Sequence, residues 1–222
     1  MNGFSNKDGR QLVDAMVATI QENAALLSDL DGIIGDGDHG VNMNKGFTLA
    51  AQRLAAEDWD LTFGLQVLGD VLLDEIGGAM GPLYGSFFGA LAQSSVDCSL
   101  IDAMAYGAML EAGLSTIQSL GGAQVGDKTL VDTLVPAIEA YNLSLAQGGT
   151  FRQALAGLMD AAQRGKESTR ELVAKIGRAS RLGERSRGVL DAGSVSCWLL
   201  LRAMAQASLA LLEREKKVVH AI

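Results

Sequence analysis

Apolar residues return at every third or fourth position along most of the chain, and this rhythm limits the possible folds more than any other feature. Leu12, Met16, Ile20, Ala24 and Leu27 form one stripe, with Val13 and Val17 beside it. Leu61, Leu65, Leu68 and Leu72 form another, and the same period runs through 101–117, 130–145 and 151–162. A repeat near 3.6 places these side chains on one face of a helix. The last stripe, roughly Ser194 to Arg214, has Trp198, Leu201, Ala205 and Leu212 in line and further apolar residues around it, which predicts a central helix. No segment alternates as a half-buried strand would. Only Pro82 and Pro136 are available to interrupt helices, and aromatic residues make up 5% of the chain; both favour helix over sheet. Ser5 followed by Asp8 resembles a capping box with Asp in place of Glu, and sets the expected start of the first helix. A length of 222 residues allows one large domain or two small ones. With no Pro- or Ser-rich linker and no repeat, the expectation is one all-α domain over 1–222. It is an antiparallel bundle of about eight helices joined by short connections.

A net charge of −8 argues against a nucleic-acid partner, because such binding depends on Lys and Arg neutralising phosphates. Cys98 and Cys197 are too few and too far apart for a disulfide framework or a zinc site, which predicts a reduced, cytoplasmic setting. The N-terminal "MNGFSNKDGRQ" lacks the apolar core of a signal peptide. The uncharged run from Ile76 to Val96 reaches membrane length, but its glycines, Pro82, Ser and Gln read as a loop feeding a buried helix, with no membrane partner.

The breaks between helices carry the chemistry. They read "DLDGIIGDGDHG", "EIGGAMGPLYG", "LGGAQVGDKT" and "GRASRLGERSRGVLDAGS". Each is glycine-rich and leads into a helix N-terminus, whose free N–H groups and positive dipole end suit anions. Four such loops at alternate junctions would share one end of a bundle and form a phosphate-binding rim.

The first break crowds Asp31, Asp36 and Asp38 together in the spacing D-x4-D-x-D. Three carboxylates are hard oxygen ligands suited to Mg²⁺ or Ca²⁺. An EF-hand is excluded, since the twelfth position from Asp36 is Phe47 and the closing Glu is missing. Mg²⁺ held by a few carboxylates keeps coordination for phosphate oxygens or water. Gly32, Gly35, Gly37 and Gly40 would let the backbone bring the aspartates to one centre, with His39 and Asn42 beside it as donors to a phosphate. The competing reading is a solvated surface turn, since Asp and Gly dominate turns for local reasons.

The other motifs are weaker alone. "GGAMGPLYG" lacks the Lys-Ser/Thr ending of a Walker A loop, and its Gly85 and Gly89 also suit close helix packing. In "GDKT", Asp127 reads equally as a helix cap and Lys128 as a solvated side chain. The basic segment from Arg164 to Arg187 is either a solvated loop or a receiver for a nucleotide phosphate or acidic partner. The two cysteines read as core or near-core thiols, and His220 carries no specific role.

Taken in order, "LDGIIGDGDHGVNMNKGF", "GGAMGPLYGSFF", "GDKTLVD" and "GRASRLGERSRGVLDAGS" resemble the DhaL family, the nucleotide-binding subunits of dihydroxyacetone kinases, over nearly the whole chain. The resemblance implies an eight-helix bundle or barrel with ADP or ATP at one end. It makes Asp31, Asp36 and Asp38 the ligands of two Mg²⁺ ions set against the nucleotide phosphates. His39, Gly40, Val41, Asn42, Ala79, Met80, Gly121, Leu130, Arg178, Asp191, Ala192 and Gly193 fall where the family contacts nucleotide. Met80 replaces a serine common in the family and removes a hydroxyl donor. Ala192 replaces a proline, which frees the backbone of that turn.

The implied activity is phosphoryl transfer to dihydroxyacetone or a similar short-chain keto sugar held on a separate DhaK-like subunit, giving a hetero-oligomer or a homodimer. The phosphoryl source is either ATP or a phosphotransferase-system protein acting on retained ADP. The alternatives are a metal-dependent phosphatase or cyclase, and a regulatory module that signals nucleotide state.

Overall fold

The computed structural model describes residues 3–55 and 58–219, so His220 lies outside the described residues. Eight α-helices dominate: α1 (Arg10–Ile34), α2 (His39–Leu54), α3 (Leu61–Glu75), α4 (Met80–Ser95), α5 (Ala103–Gly121), α6 (Val131–Ala146), α7 (Phe151–Ser168) and α8 (Ala192–Val219). Each helix packs against its neighbour in sequence, and α8 closes the ring by packing on α1. Short connections make neighbouring helices antiparallel. The stripes predicted from spacing are the buried faces: Leu12, Met16, Ile20 and Leu27 of α1 and Leu61, Leu65, Leu68 and Leu72 of α3 are all shielded from solvent. Gly69 of α3 and Gly85 of α4 bring those two backbones close together, whereas a Cβ on Gly89 would meet nothing.

Two expectations need correction. A short antiparallel pair of strands does exist, β1 (Gly3–Ser5) against β2 (Leu100–Asp102), with Ser5 opposite Leu100. Three-residue strands are too brief to show an alternating pattern, and their pairing depends on residues almost a hundred positions away. The same pairing displaces the first helix start. The Ser5 hydroxyl does accept from the Asp8 amide (3.0 Å), but Ser5 is held in the strand, so α1 begins at Arg10 after a hydrogen-bonded turn.

Helix α8 is central, as its stripe predicts, with Leu199, Leu200, Leu201, Met204 and Ala205 all buried. Its stretch Ala192–Arg214 is long and apolar enough to cross a membrane, yet 67% of its most apolar window is buried against the other helices, as expected of a core helix. Cys197 lies in this core, where burial pushes its thiol well above the usual value, and Cys98 is half-buried. An inert Cys197 follows.

The ring places the α1/α2, α3/α4, α5/α6 and α7/α8 junctions at one end. The small sheet and the α2/α3 and α4/α5 connections lie at the other. Helix caps differ between the two ends. At the sheet end, Asp60, Asp102 and Thr150 accept from the first-turn amides of α3, α5 and α7. At the opposite end, α2, α4 and α6 have no side-chain cap. In α6 the first-turn amides are nevertheless met by Thr129 and Leu130, and in α2 the His39 amide is met by Asp31, which leaves the first turn of α4 open to an anion.

Candidate functional site

All four glycine-rich junctions contribute to one cavity of about 320 Å³ at that uncapped end. Its walls include Asp31, Asp36, Asp38, His39 and Asn42 from the first junction, Ala79, Met80 and Leu83 from the second, and Lys128, Thr129 and Leu130 from the third. Arg178, Asp191, Ala192 and Gly193 come from the fourth. The volume lies in the range of small-ligand sites.

Asp31 occupies the last turn of α1, at the negative end of that helix's dipole, where a carboxylate is unfavourable without a cation nearby. The chain then reverses through Gly37, whose φ of 78° lies in the left-handed region that favours glycine. That reversal brings Asp36 and Asp38 back to Asp31, and one oxygen from each of the three lies within 4.8 Å of the others. The Asp31 carboxylate also accepts from the His39 amide (3.2 Å), which fixes the start of α2 beside the cluster.

Arg178 reaches across from the fourth junction and donates to Asp36 and to Asp38 (3.4 Å). Burial pushes the Asp36 carboxyl upward, but the hydrogen bond and charge of Arg178 hold it below the usual carboxylate value. Hard oxygen donors at this spacing fit a divalent ion.

Behind the acids, His39 Nε2 lies 2.9 Å from Ser196 Oγ, which lies 2.7 Å from the Tyr84 hydroxyl. The Tyr84 and Ser196 hydroxyls also lie 3.3 and 3.0 Å from the Gly193 carbonyl, so each can place its single proton there or along the chain. This chain of hydrogen bonds joins the N-terminal ends of α2, α4 and α8. Burial pulls the His39 pKa below its ordinary value, against the pull of Asp31 and Asp38, and favours a neutral imidazole. Sequence reasoning missed Tyr84 and Ser196, since a tyrosine and a serine within apolar stripes look like ordinary core positions.

Asp191 caps α8 by accepting from the Ser194 amide (2.7 Å), and its own amide donates to Thr169 Oγ1 (3.1 Å). These bonds hold the turn at Ala192, which is the first residue of α8, where an unpaired N–H is normal and proline is merely one option. Met80 is partly buried and packs against the core.

Burial raises the Asp191 carboxyl to about 7, with Lys128 acting in the opposite direction. A raised carboxyl pKa means that the fold favours the protonated form, so stability falls as pH rises from the ordinary 3.8 through about 7. His39 has the opposite sign, since it loses stability as pH falls below its ordinary 6.5. The expected result is therefore a difference: Asp191→Asn gains thermal midpoint relative to wild type between pH 5 and pH 8. Equal slopes in the two proteins would refute the assignment.

Three of the residues singled out by resemblance do not line the cavity. Gly40 is buried against α1, Val41 points outward at 63% exposure, and Gly121 ends α5 behind Leu83. The two doubtful readings of "GDKT" also change. Lys128 is buried, not solvated, and Asp127 does not cap α6 but pairs with Lys175 (3.3 Å) and accepts from the Gln124 amide. Asp132 receives the Gly126 and Thr129 amides instead. The basic segment is largely spent within the chain. Arg178 meets the acids, Lys175 meets Asp127, Arg187 meets Glu184, and Lys166 lies 3.9 Å over the Trp198 ring.

Comparison with known proteins shows the family. The DAK2 domain model matches residues 33–206. The ADP-binding subunit DhaL of a PEP-dependent dihydroxyacetone kinase from Listeria innocua is 40% identical over 84% of this chain and 89% of its own length. The corresponding Escherichia coli subunit is 38% identical over 82% of this chain and 87% of its own. A D-erythrulose kinase from Mycolicibacterium smegmatis is 33% identical over 91% of this chain but only 37% of that longer protein. In structure, the C. freundii dihydroxyacetone kinase in complex with AMP-PNP and Mg²⁺ superposes with a TM-score of 0.66 at 27% identity, over 88% of this chain and 33% of that one. The chain belongs to the DAK2 domain family, as a DhaL-type kinase subunit.

Proposed function

We propose that this subunit binds ADP or ATP with magnesium in the four-junction cavity and passes a phosphoryl group to dihydroxyacetone, or a similar short-chain keto sugar, held on a DhaK-like partner. The observation that carries the reading is the convergence of three carboxylates with the N-terminal turns of α2 and α4 on one cavity.

Asp31, Asp36 and Asp38 would hold the metal, two ions by resemblance to the family. When bound, magnesium shields phosphate charge and polarises the transferring group. The amides that open α4, at Met80 and Gly81, would meet the phosphates, with the Asn42 side chain beside them. Arg178, released from the aspartates once metal neutralises them, has the charge and reach to meet a phosphate oxygen. Leu130, Leu83 and Ile176 give the cavity an apolar wall suited to the base or ribose. A neutral His39 whose Nε2 accepts from Ser196 carries its proton on Nδ1 and can donate a hydrogen bond without adding charge.

The sugar would be supplied by the partner docking at the same end. Four DhaL relatives carry PEP- or PTS-dependence in their names, which supports retained ADP recharged by a phosphotransferase-system protein over exchange with free ATP. A cytoplasmic setting fits the two free thiols.

The test uses the purified chain. We expect ADP to survive dialysis when magnesium is present and to be lost with a chelator. Dihydroxyacetone phosphorylation should appear only after a sugar-binding subunit is added. Steady phosphoester turnover by the chain alone would replace the reading with a hydrolytic or cyclising one. Capture of a DNA-binding protein with no kinase activity in the mixture would replace it with a regulatory one.

A further inference from the structure

Lys128 is 2% exposed and has a φ of 63°, the one positive value among the described non-glycine residues. Burying an ammonium and twisting its backbone are both costly, so the site must use what the lysine supplies. Its Nζ donates to the carbonyls of Thr169 and Val189, each at 2.5 Å. Those carbonyls stand at the two ends of the long excursion between α7 and α8. Thr169 closes α7, and Val189 shortly precedes α8.

Further bonds close the same neck. The Gly188 amide donates to the Arg170 carbonyl (2.8 Å), and the Asp191 amide donates to Thr169 Oγ1 (3.1 Å). The middle of the excursion is tied to the residue before the lysine. The Lys175 amide donates to the Asp127 carbonyl (3.2 Å), and the Lys175 ammonium pairs with the Asp127 carboxylate. The "GDKT" loop is therefore the post to which residues 170–188 are fastened. That excursion includes a 3-10 stretch, Arg178–Ser186, whose first residue meets Asp36 and Asp38. Asp132 lies near the buried ammonium as counter-charge, joined by Asp191 when that carboxyl is ionised.

We infer that Lys128 is a positioning residue, which clasps the neck of the 170–188 excursion and thereby sets Arg178 over the nucleotide cavity. The lysine acts through Arg178 and does not itself handle the phosphoryl group, and the inference rests on the nucleotide-site reading above. Lysine suits this place because its compact ammonium offers three N–H donors on a long stem, enough to reach two carbonyls at once. An aliphatic residue of equal length would fill the space, strip the Val189 carbonyl of this donor and leave the Thr169 carbonyl with the longer bond from the Leu172 amide (3.3 Å).

The first test needs no nucleotide. Lys128→Met and wild type are digested with trypsin in the absence of ADP and magnesium, and the cut sites are identified by mass. Lys175, Arg178, Arg181, Arg185 and Arg187 all lie on the excursion. Cleavage there should quicken about tenfold or more, while amide exchange in α1 to α4 stays as in wild type. The second test measures Mg-ADP affinity for Lys128→Met, Arg178→Ala and the double variant. If the lysine works through Arg178, it weakens binding about tenfold in the wild-type background and little in the Arg178→Ala background.

Unchanged digestion of the excursion would overturn the clasp. So would losses that simply multiply in the double variant, which would mark Lys128 as a direct nucleotide contact. Should Lys128→Met fail to fold, Lys128→Gln keeps two N–H donors without the charge and is read by the same measurements, with a smaller expected change. If wild type binds no Mg-ADP, the nucleotide reading fails, while the digestion result still decides the clasp.

Discussion

Asp36→Ala should abolish magnesium-dependent ADP binding, a loss of at least about a hundredfold in affinity, because removing even an outer partner of a metal ligand costs roughly 10–100-fold. Asp36 holds the middle of the triad and is the carboxylate that Arg178 grips most closely. Without it, two acids remain, and the grip on metal and phosphate is broken. Stability of the ligand-free protein should barely change, since Asp36 is an exposed side chain paired only with an arginine that is itself half exposed. The discriminating measurement is thermal: Mg-ADP raises the wild-type midpoint through preferential binding to the folded state, and the variant shows no rise. A normal upward shift in Asp36→Ala would remove the aspartates from the site.

Gly40→Ala should act by a different route, with large losses in both stability and binding. Gly40 lies in the first turn of α2, where it presses on α1. A methyl group there would collide with the Ala24 carbonyl oxygen and stand 2.6 Å from both the amide nitrogen and the hydroxyl of Ser28. Two of these neighbours are backbone atoms of another helix, so no side-chain rotation relieves the clash. The helices must separate, at a cost of about 3 kcal/mol, the upper end for overpacking. In a chain of this size that lowers the thermal midpoint by roughly 6–12 °C. The shift carries the His39 and Asn42 end of α2 away from the acids, so ADP affinity falls as well. Gly89→Ala is the control. Its added methyl meets nothing within 4 Å, and a helical glycine replaced by alanine gains about 0.5–1 kcal/mol. If both substitutions moved the midpoint equally, close approach at Gly40 would not be the cause.

Much of the fold could be read from the amino acids because helix formation and burial are governed by local periodicity. The stripe from Leu12 to Leu27 and the stripe from Leu61 to Leu72 needed no knowledge of their partners to declare an apolar face. The acidic loop was legible for a similar reason, since glycine spacing and hard ligands lie within ten residues. Other features were hidden. The β1–β2 pair joins residues almost a hundred positions apart, and nothing in three residues marks a strand. Tyr84 and Ser196 belong to apolar stripes, and only their meeting with His39 makes them part of a site. Lys128 looked like any lysine beside a turn, because burial is a property of what surrounds a side chain and not of the side chain.

By itself, then, the order of residues determined a bundle of helices, glycine-rich loops at alternate junctions and a cluster of acids suited to a divalent cation. Those outcomes follow from interactions between near neighbours in the chain. Tertiary structure alone decided that Arg178 spans the shared cavity to the acids, that Tyr84 and Ser196 stand behind His39, and that Lys128 fastens the segment bearing that arginine. Each of these is a contact between residues far apart in sequence, and such contacts arise only when closure of the ring brings distant loops to the same end.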